Sequence, residues 1–236
     1  MEMLDLLYPK RCPVCLSVLP PGGRLIHDPC REKIRTVREP VCYKCGKPLL
    51  SEETEYCGNC RKHMPLFETC IAWAEYASRY TRRMLMQVKY YGDCQLLDFP
   101  CQDLAEKYRD RVSSWQAETL IPVPVHKSRL RTRGYNQAEE IALRLGEVWH
   151  LPVDADYLTR TGKTAAQKEL NDSERQANLM HAFQAAPDHK RYDTVILVDD
   201  IYTTGSTMAA CTRVLLASGI RRVYGAVLAT SRDRRT

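Results

Sequence analysis

The chain has 236 residues, of which 44% are hydrophobic and 27% charged, and a formal net charge of +6. That length allows one large domain, or one domain with a small module, and the composition is that of an ordinary folded chain. No apolar run approaches the roughly 18 residues a membrane helix needs. The opening Met1-Glu2-Met3-Leu4-Asp5 has no signal-peptide core, so a cytoplasmic chain without membrane insertion is expected.

The positive charge is spread: 11 Lys and Arg stand against 8 Asp and Glu in residues 1–66, and 24 against 21 beyond them. Net charge alone therefore argues weakly for nucleic acid. The cysteines say more. Seven of the 11 fall in the first 60 residues. Cys12-x-x-Cys15 is followed after eleven residues by His27-x-x-Cys30, and Cys42-x-x-Cys45 after eleven residues by Cys57-x-x-Cys60, an offset of 30. In a cytoplasmic chain such pairs favour metal over disulfide. Two knuckles can present four ligands tetrahedrally to Zn²⁺, and segments this small need the on the order of 10–16 kcal/mol that zinc binding supplies. Two structural zinc sites are expected. His27 stands where the repeat calls for cysteine; the alternative is a surface histidine, with Asp28 or a water completing the site. Order alone leaves open which knuckles pair.

The polar, proline-containing stretch 61–66 marks a boundary between a zinc module, 1–66, and a second domain, 67–236. There, Cys70–Tyr76 reads as a strand. Met84, Leu85, Val88 and Tyr91 recur at helical spacing, predicting a helix over 79–91, and Leu96–Tyr108 reads as a second amphipathic helix. Cys70, Cys94, Cys101 and Cys211 lack mutual spacing and are taken as core or incidental thiols. Thr119–Val125 is a short strand interrupted by prolines. After it Lys127, Arg129, Arg131 and Arg133 alternate along a loop that ends in Gly134-Tyr135-Asn136-Gln137, and a helix follows with Ala138, Ile141, Ala142, Leu145 and Val148 on one face. Residues 158–183 form a polar segment holding Arg160, Lys163, Gln167, Lys168 and Arg175.

The most informative stretch is 194–207. Thr194–Val198 is apolar or β-branched without alternation, as in a strand buried on both faces of a parallel sheet. It ends in Asp199-Asp200. Thr203, Thr204, Gly205, Ser206 and Thr207 then precede a helix whose apolar positions include Ala209, Ala210 and Val214–Ala217. A hydroxyl-rich loop at a helix N-terminus offers unpaired N–H groups to a phosphate, and Gly205 lets the backbone turn closely around it. Two adjacent carboxylates suit sugar hydroxyls or a hydrated Mg²⁺. The pattern is that of a sugar-phosphate site, without the lysine of a P-loop. The bland alternative is a strand–turn–helix with an Asp cap.

This stretch resembles the 5-phosphoribosyl-1-pyrophosphate (PRPP) loop of type I phosphoribosyltransferases, implying an α/β fold with a helix-flanked parallel sheet. The resemblance implies that Asp199 and Asp200 contact the ribose hydroxyls with Mg²⁺ present, as the catalytic pair. It gives the 5′-phosphate to Thr203–Thr207. Pyrophosphate goes to the cationic loop, including Val125, His126, Lys127 and Arg129. Lys163, Gln167, Lys168 and Arg175 fall in a mobile hood that closes over the reaction. The alternatives for the basic loop are a solvated surface or a nucleic-acid contact. Cys12-Pro13-Val14-Cys15, Cys42-Tyr43-Lys44-Cys45-Gly46, Lys89-Tyr90-Tyr91-Gly92-Asp93, Pro122-Val123-Pro124, Arg129–Ala138 and Gln167–Asn178, in that order with the PRPP loop, extend the resemblance over nearly the whole chain. Together they are similar to the ComF family of double-zinc-ribbon, phosphoribosyltransferase-like competence proteins. Two departures stand out: His27 at a usual cysteine position, and Ala166 where the family commonly has proline before glutamine, which bears on the hood's shape. The family resemblance implies DNA uptake in natural transformation, with a ComFA-like helicase or ATPase as partner. Lys127, Arg129, Arg131, Arg133 and Tyr135 are the candidates for single-stranded DNA. Whether PRPP is only bound or also used as a phosphoribosyl donor stays open; no motif for reading a purine or pyrimidine acceptor is visible.

Overall fold

A computed structural model describes residues 9–20, 23–161, 182–188 and 190–232. Two short helices in the zinc module, α1 (Asp28–Arg31) and α2 (Gly58–Lys62), each carry one metal-ligating cysteine at their centre. Beyond the module the elements follow as β1 (Cys70–Glu75), α3 (Arg79–Tyr91), α4 (Asp98–Lys107), α5 (Arg109–Trp115), β2 (Thr119–Pro122), α6 (Lys127–Arg133), α7 (Gln137–Trp149), β3 (Leu158–Arg160), β4 (Phe183–Ala185), β5 (Thr194–Tyr202), α8 (Ser206–Ala217) and β6 (Arg222–Thr230).

Among the described residues β1, β6, β5 and β2 make one parallel sheet in that order, and β3 pairs antiparallel with β4. The unalternating apolar run 194–198 lies in the inner strand β5, between β6 and β2. Its residues divide with the pleat: Ile196 and Val198 join a core with α3, α4 and α7, and Val195 and Leu197 join a second core with α8. This is the helix-flanked parallel sheet expected from the sequence.

The zinc module wraps the edge of that sheet. Cys12, Val14 and Cys30 belong to the first core, and Cys42, Cys45, Cys57 and Cys60 to the second. Between them the chain runs along the outer side of β1. Val37 N–H donates to the Trp73 carbonyl at 2.8 Å, and Glu75 N–H donates to the Arg35 carbonyl at 3.0 Å. On the second face the Lys44 carbonyl accepts from Cys70 N–H at 2.8 Å. Gly46 allows this approach: its φ is +69°, and a Cβ there would lie 2.4 Å from the Cys70 carbonyl oxygen.

Several elements differ from the sequence expectation. The helix read over 96–108 opens as a tight turn at Cys94–Leu97 and becomes α-helical at Asp98. Pro100 has no N–H to give the Leu96 carbonyl, so an α-helix starting earlier would lose a bond. A separate helix, α5, follows. β5 does not stop at the acidic pair but pairs with β6 as far as Tyr202. The cationic loop is the helix α6, started by the His126 side chain, which accepts from Ser128 N–H at 3.1 Å, and ended by Gly134 at φ +82°. Tyr91, counted in the apolar stripe of α3, is 77% exposed, because α3 ends at Gly92 and no further turn covers its last residue. The hood residues Lys163, Gln167, Lys168 and Arg175 lie outside the described residues.

Candidate functional site

Two ligand sets are assembled in the zinc module. The donor atoms of Cys12, Cys15, His27 and Cys30 lie within 4.8 Å of one another, as do those of Cys42, Cys45, Cys57 and Cys60. Cys45 Sγ and Cys57 Sγ are 3.6 Å apart, close to the edge of about 3.8 Å that a tetrahedron of 2.3 Å Zn–S bonds requires. Cys15 Sγ and His27 Nδ1 are 3.4 Å apart, close to the corresponding mixed edge. Both sets therefore fit structural Zn²⁺, and His27 takes the fourth position of the first. Each set is built from consecutive knuckles and is not cross-braced with the other.

The carboxylates come from the end of β5. Asp200 N–H donates to Asp199 Oδ1 at 2.9 Å. Burial, with the Asp200 charge beside it, pushes the Asp199 carboxyl well above the usual carboxylate range. Arg160, at the end of β3, lies within electrostatic reach of Asp199 and opposes that rise. Arg160's own pKa is lowered, first by burial and then by the like charge of Arg129. Arg129, Arg160 and Asp199 thus share one electrostatic neighbourhood, although they come from α6, β3 and β5.

The loop after β5 turns at Gly205, whose φ is +83°. A Cβ at Gly205 would lie 2.2 Å from the Tyr202 hydroxyl, so only glycine lets the loop close over that ring. Gly205 caps α8 without a side chain, and Ser206 N–H makes one long bond of 3.5 Å to Thr204 Oγ1. Thr203 and Thr204 are exposed, and Ser206 and Thr207 are half-buried. The Thr204 and Ser206 hydroxyls are 2.9 Å apart. A ring of hydroxyls and helix amides beside two carboxylates has the chemistry to hold a phosphorylated sugar.

The cationic element forms a second feature at the same end of the sheet, because β2 leads into α6 and pairs with β5 through Pro122 and Val198. On a helix, alternate positions point apart, so Lys127 and Arg131 share one face and Arg129 and Arg133 the other. The second face lines an open cavity of about 500 Å³ together with Tyr135 and with Lys89, Tyr90 and Tyr91 from the end of α3. The Arg133 guanidinium stands 5.9 Å from the Tyr90 ring centre, and Lys89 Nζ 5.6 Å from the same ring. Tyr135 is half-buried and its hydroxyl donates to the Val88 carbonyl, so its ring is a fixed wall. His126 is turned into its own helix as a cap, and Val125 is half-buried before it.

Tyr90, 60% exposed, and Tyr91 were not singled out from the sequence as binding residues. The signal was there: Tyr90 stands beside the buried stripe Met84, Leu85 and Val88, where a solvated polar residue is the norm.

The comparisons with known proteins agree with this arrangement. A family described as "Double zinc ribbon domain" matches residues 3–61. Competence protein F of Haemophilus influenzae is 28% identical over 221 residues, covering 90% of this chain and 93% of that one. Competence protein ComFC of Bacillus subtilis is 25% identical over 210 residues, covering 86% and 82%. The chain is similar to these competence proteins along most of its length. DNA utilization protein YhgH of Escherichia coli K12 is also 28% identical, over 222 residues, covering 92% of this chain and 96% of that one. Among solved structures, a purine phosphoribosyltransferase from Pyrococcus horikoshii is similar over 57% of this chain and 72% of that one, at 20% identity and a TM-score of 0.36. What this chain itself shows is the helix-flanked parallel sheet and the Asp199–Thr207 loop. Among the described residues no helix is long and apolar enough to cross a membrane.

Proposed function

We propose that the chain binds PRPP with Mg²⁺ at Asp199–Thr207, binds single-stranded DNA in the groove between α3 and α6, and acts in DNA uptake in the cytoplasm. One observation carries the reading: the acidic pair with its hydroxyl-rich loop and the cationic, aromatic groove follow neighbouring strands at their C-terminal ends, where open α/β sheets take ligands. The relatives named for competence and DNA utilization support the DNA half. Asp199 and Asp200 would accept from the ribose hydroxyls, and the amides of the loop and of α8 would hold the 5′-phosphate. Arg129 and Arg160 would meet the pyrophosphate. Mg²⁺, when bound, would neutralise pyrophosphate charge against the two carboxylates. Tyr90 and Tyr91 would stack on bases while Lys89, Arg129 and Arg133 follow the backbone, the combination that sequence-tolerant single-strand binding uses.

A second reading has a specific observation in its favour. Both carboxylates are present at the end of β5, with Asp200 N–H holding Asp199 Oδ1, which suits an active phosphoribosyltransferase with an unidentified acceptor. Titration of PRPP by calorimetry with and without Mg²⁺, and of a labelled oligodeoxythymidine at several salt concentrations, tests the first reading. Absence of Mg²⁺-dependent PRPP binding rejects it at the acidic pair, and salt-insensitive DNA binding rejects the groove. Acceptor-dependent pyrophosphate release from PRPP in cell extract selects the enzyme.

A further inference from the structure

The phosphate loop touches the zinc module directly. The Asn59 side-chain amide donates to the Thr204 carbonyl at 2.9 Å, across 145 residues of sequence. Asn59 sits in α2 between the ligands Cys57 and Cys60. The start of α2 is itself capped by Cys57 Sγ, which accepts from Cys60 N–H at 3.5 Å. A metal held by those two cysteines fixes the backbone of Asn59 and so the aim of its carboxamide.

The receiving carbonyl matters because of what lies across its peptide bond. In a planar trans peptide the C=O of one residue and the N–H of the next point in opposite directions. Holding the Thr204 carbonyl back toward α2 therefore directs the Gly205 N–H the other way. The preceding peptide is held alike: Ser231 Oγ donates to the Thr203 carbonyl at 3.3 Å, which directs the Thr204 N–H. The floor of the loop is fixed by two neighbours, one of them from the module. Tyr202, on which Gly205 closes, packs edge-on against Phe67 with ring centres 6.2 Å apart. Lys47 Nζ, from the residue but one after the ligand Cys45, lies 5.6 Å from the Tyr202 ring centre on a side chain only 5% exposed.

We propose that Asn59 is a positioning residue for the phosphate loop, and that metal at Cys42, Cys45, Cys57 and Cys60 thereby sets the anion affinity of a site otherwise built by β5 and α8. The zinc of the second ribbon then has a role beyond holding the ribbon folded. This rests on the phosphate-loop reading given above, and the test separates the two.

The experiment compares the zinc-loaded full chain with Asn59→Ala and Asn59→Asp. The aspartate keeps the shape of asparagine and suits the first turn of a helix, but offers the Thr204 carbonyl a negative oxygen in place of a donor. Zinc content and thermal midpoint are measured first; both variants are expected to match the wild type. Peptide-resolved hydrogen–deuterium exchange without ligand is then expected to rise in residues 203–207 in both variants. PRPP with Mg²⁺ is expected to bind about two- to twelvefold more weakly to Asn59→Ala, the span of one net hydrogen bond, and at least as weakly to Asn59→Asp. If exchange at 203–207 is unchanged, or if Asn59→Asp binds PRPP as the wild type does, the positioning role is wrong. If the wild type itself does not bind PRPP, the PRPP reading falls and the exchange result alone decides the coupling.

Discussion

The backbone amide of Asp200 donates to the carboxylate of Asp199, a half-buried group with a like charge beside it and a pKa raised by desolvation. The folded chain consequently binds a proton at Asp199 at higher pH than the unfolded chain, whose carboxylates titrate near about 4. Stability at this position is gained as pH falls through the raised value and is reduced above it, where the charged carboxylate costs stability. Asp199→Asn is expected to raise the thermal midpoint of the ligand-free chain, relative to the wild type, progressively as pH rises through the raised value. The same change should weaken Mg²⁺-dependent PRPP binding by about 1.5–3 kcal/mol, as for a lost charge-assisted bond. Scanning calorimetry over a pH series and titration on the same preparations check both; a variant that does not gain on the wild type as pH rises contradicts the raised value.

Zinc content offers a direct reading of the two ligand sets. Purified chain should carry close to two Zn²⁺. Because each set is closed within its own knuckles, Cys12→Ser should lose one equivalent and keep the other, and Cys57→Ser should do the converse. Elemental analysis showing that either variant loses both would mean that the ribbons fold as one unit.

The groove predicts which positions matter for DNA. Tyr90→Ala and Tyr91→Ala should each weaken oligodeoxythymidine binding by about 1–3 kcal/mol, the worth of a stacked base. Arg129→Ala and Arg133→Ala should each flatten the dependence of log affinity on log salt by about 0.7. Lys127→Ala and Arg131→Ala, on the opposite face of α6, should change that slope less. Equal effects on both faces would move the binding surface away from the groove.

Gly205→Ala tests the turn itself. The new methyl would collide with Tyr202 and hold a left-handed backbone that costs about 1–2 kcal/mol in a non-glycine residue. The thermal midpoint should fall and PRPP binding should be lost. An alanine variant with wild-type affinity would show that the loop does not form the phosphate cradle.

How much of this was legible in the sequence differs from site to site, for physical reasons. The ligand sets could be read because metal coordination fixes donor type and spacing, and the repeat was intact apart from His27. β5 could be read because a strand covered on both faces has no polar alternation. The cationic segment was misjudged: Lys127, Arg129, Arg131 and Arg133 alternate in sequence, which suggests an extended run, yet His126 and Gly134 supply a helix start and stop that outweigh the alternation. The contact of Asn59 with Thr204 left no mark on either segment, since it depends on how the module folds back over the sheet.

That fold-back has a cost in independence. Residues 35–37 occupy the outer hydrogen-bonding side of β1, and cutting the chain after residue 66 strips that side bare. A bare strand at a sheet margin is a template for pairing with another chain. Shortening the protein to residues 67–236 should thus yield a unit prone to stick to its own copies through β1. Removal of zinc, by loosening the same strap, is expected to expose the same strand, so chelation should promote self-association of the full chain.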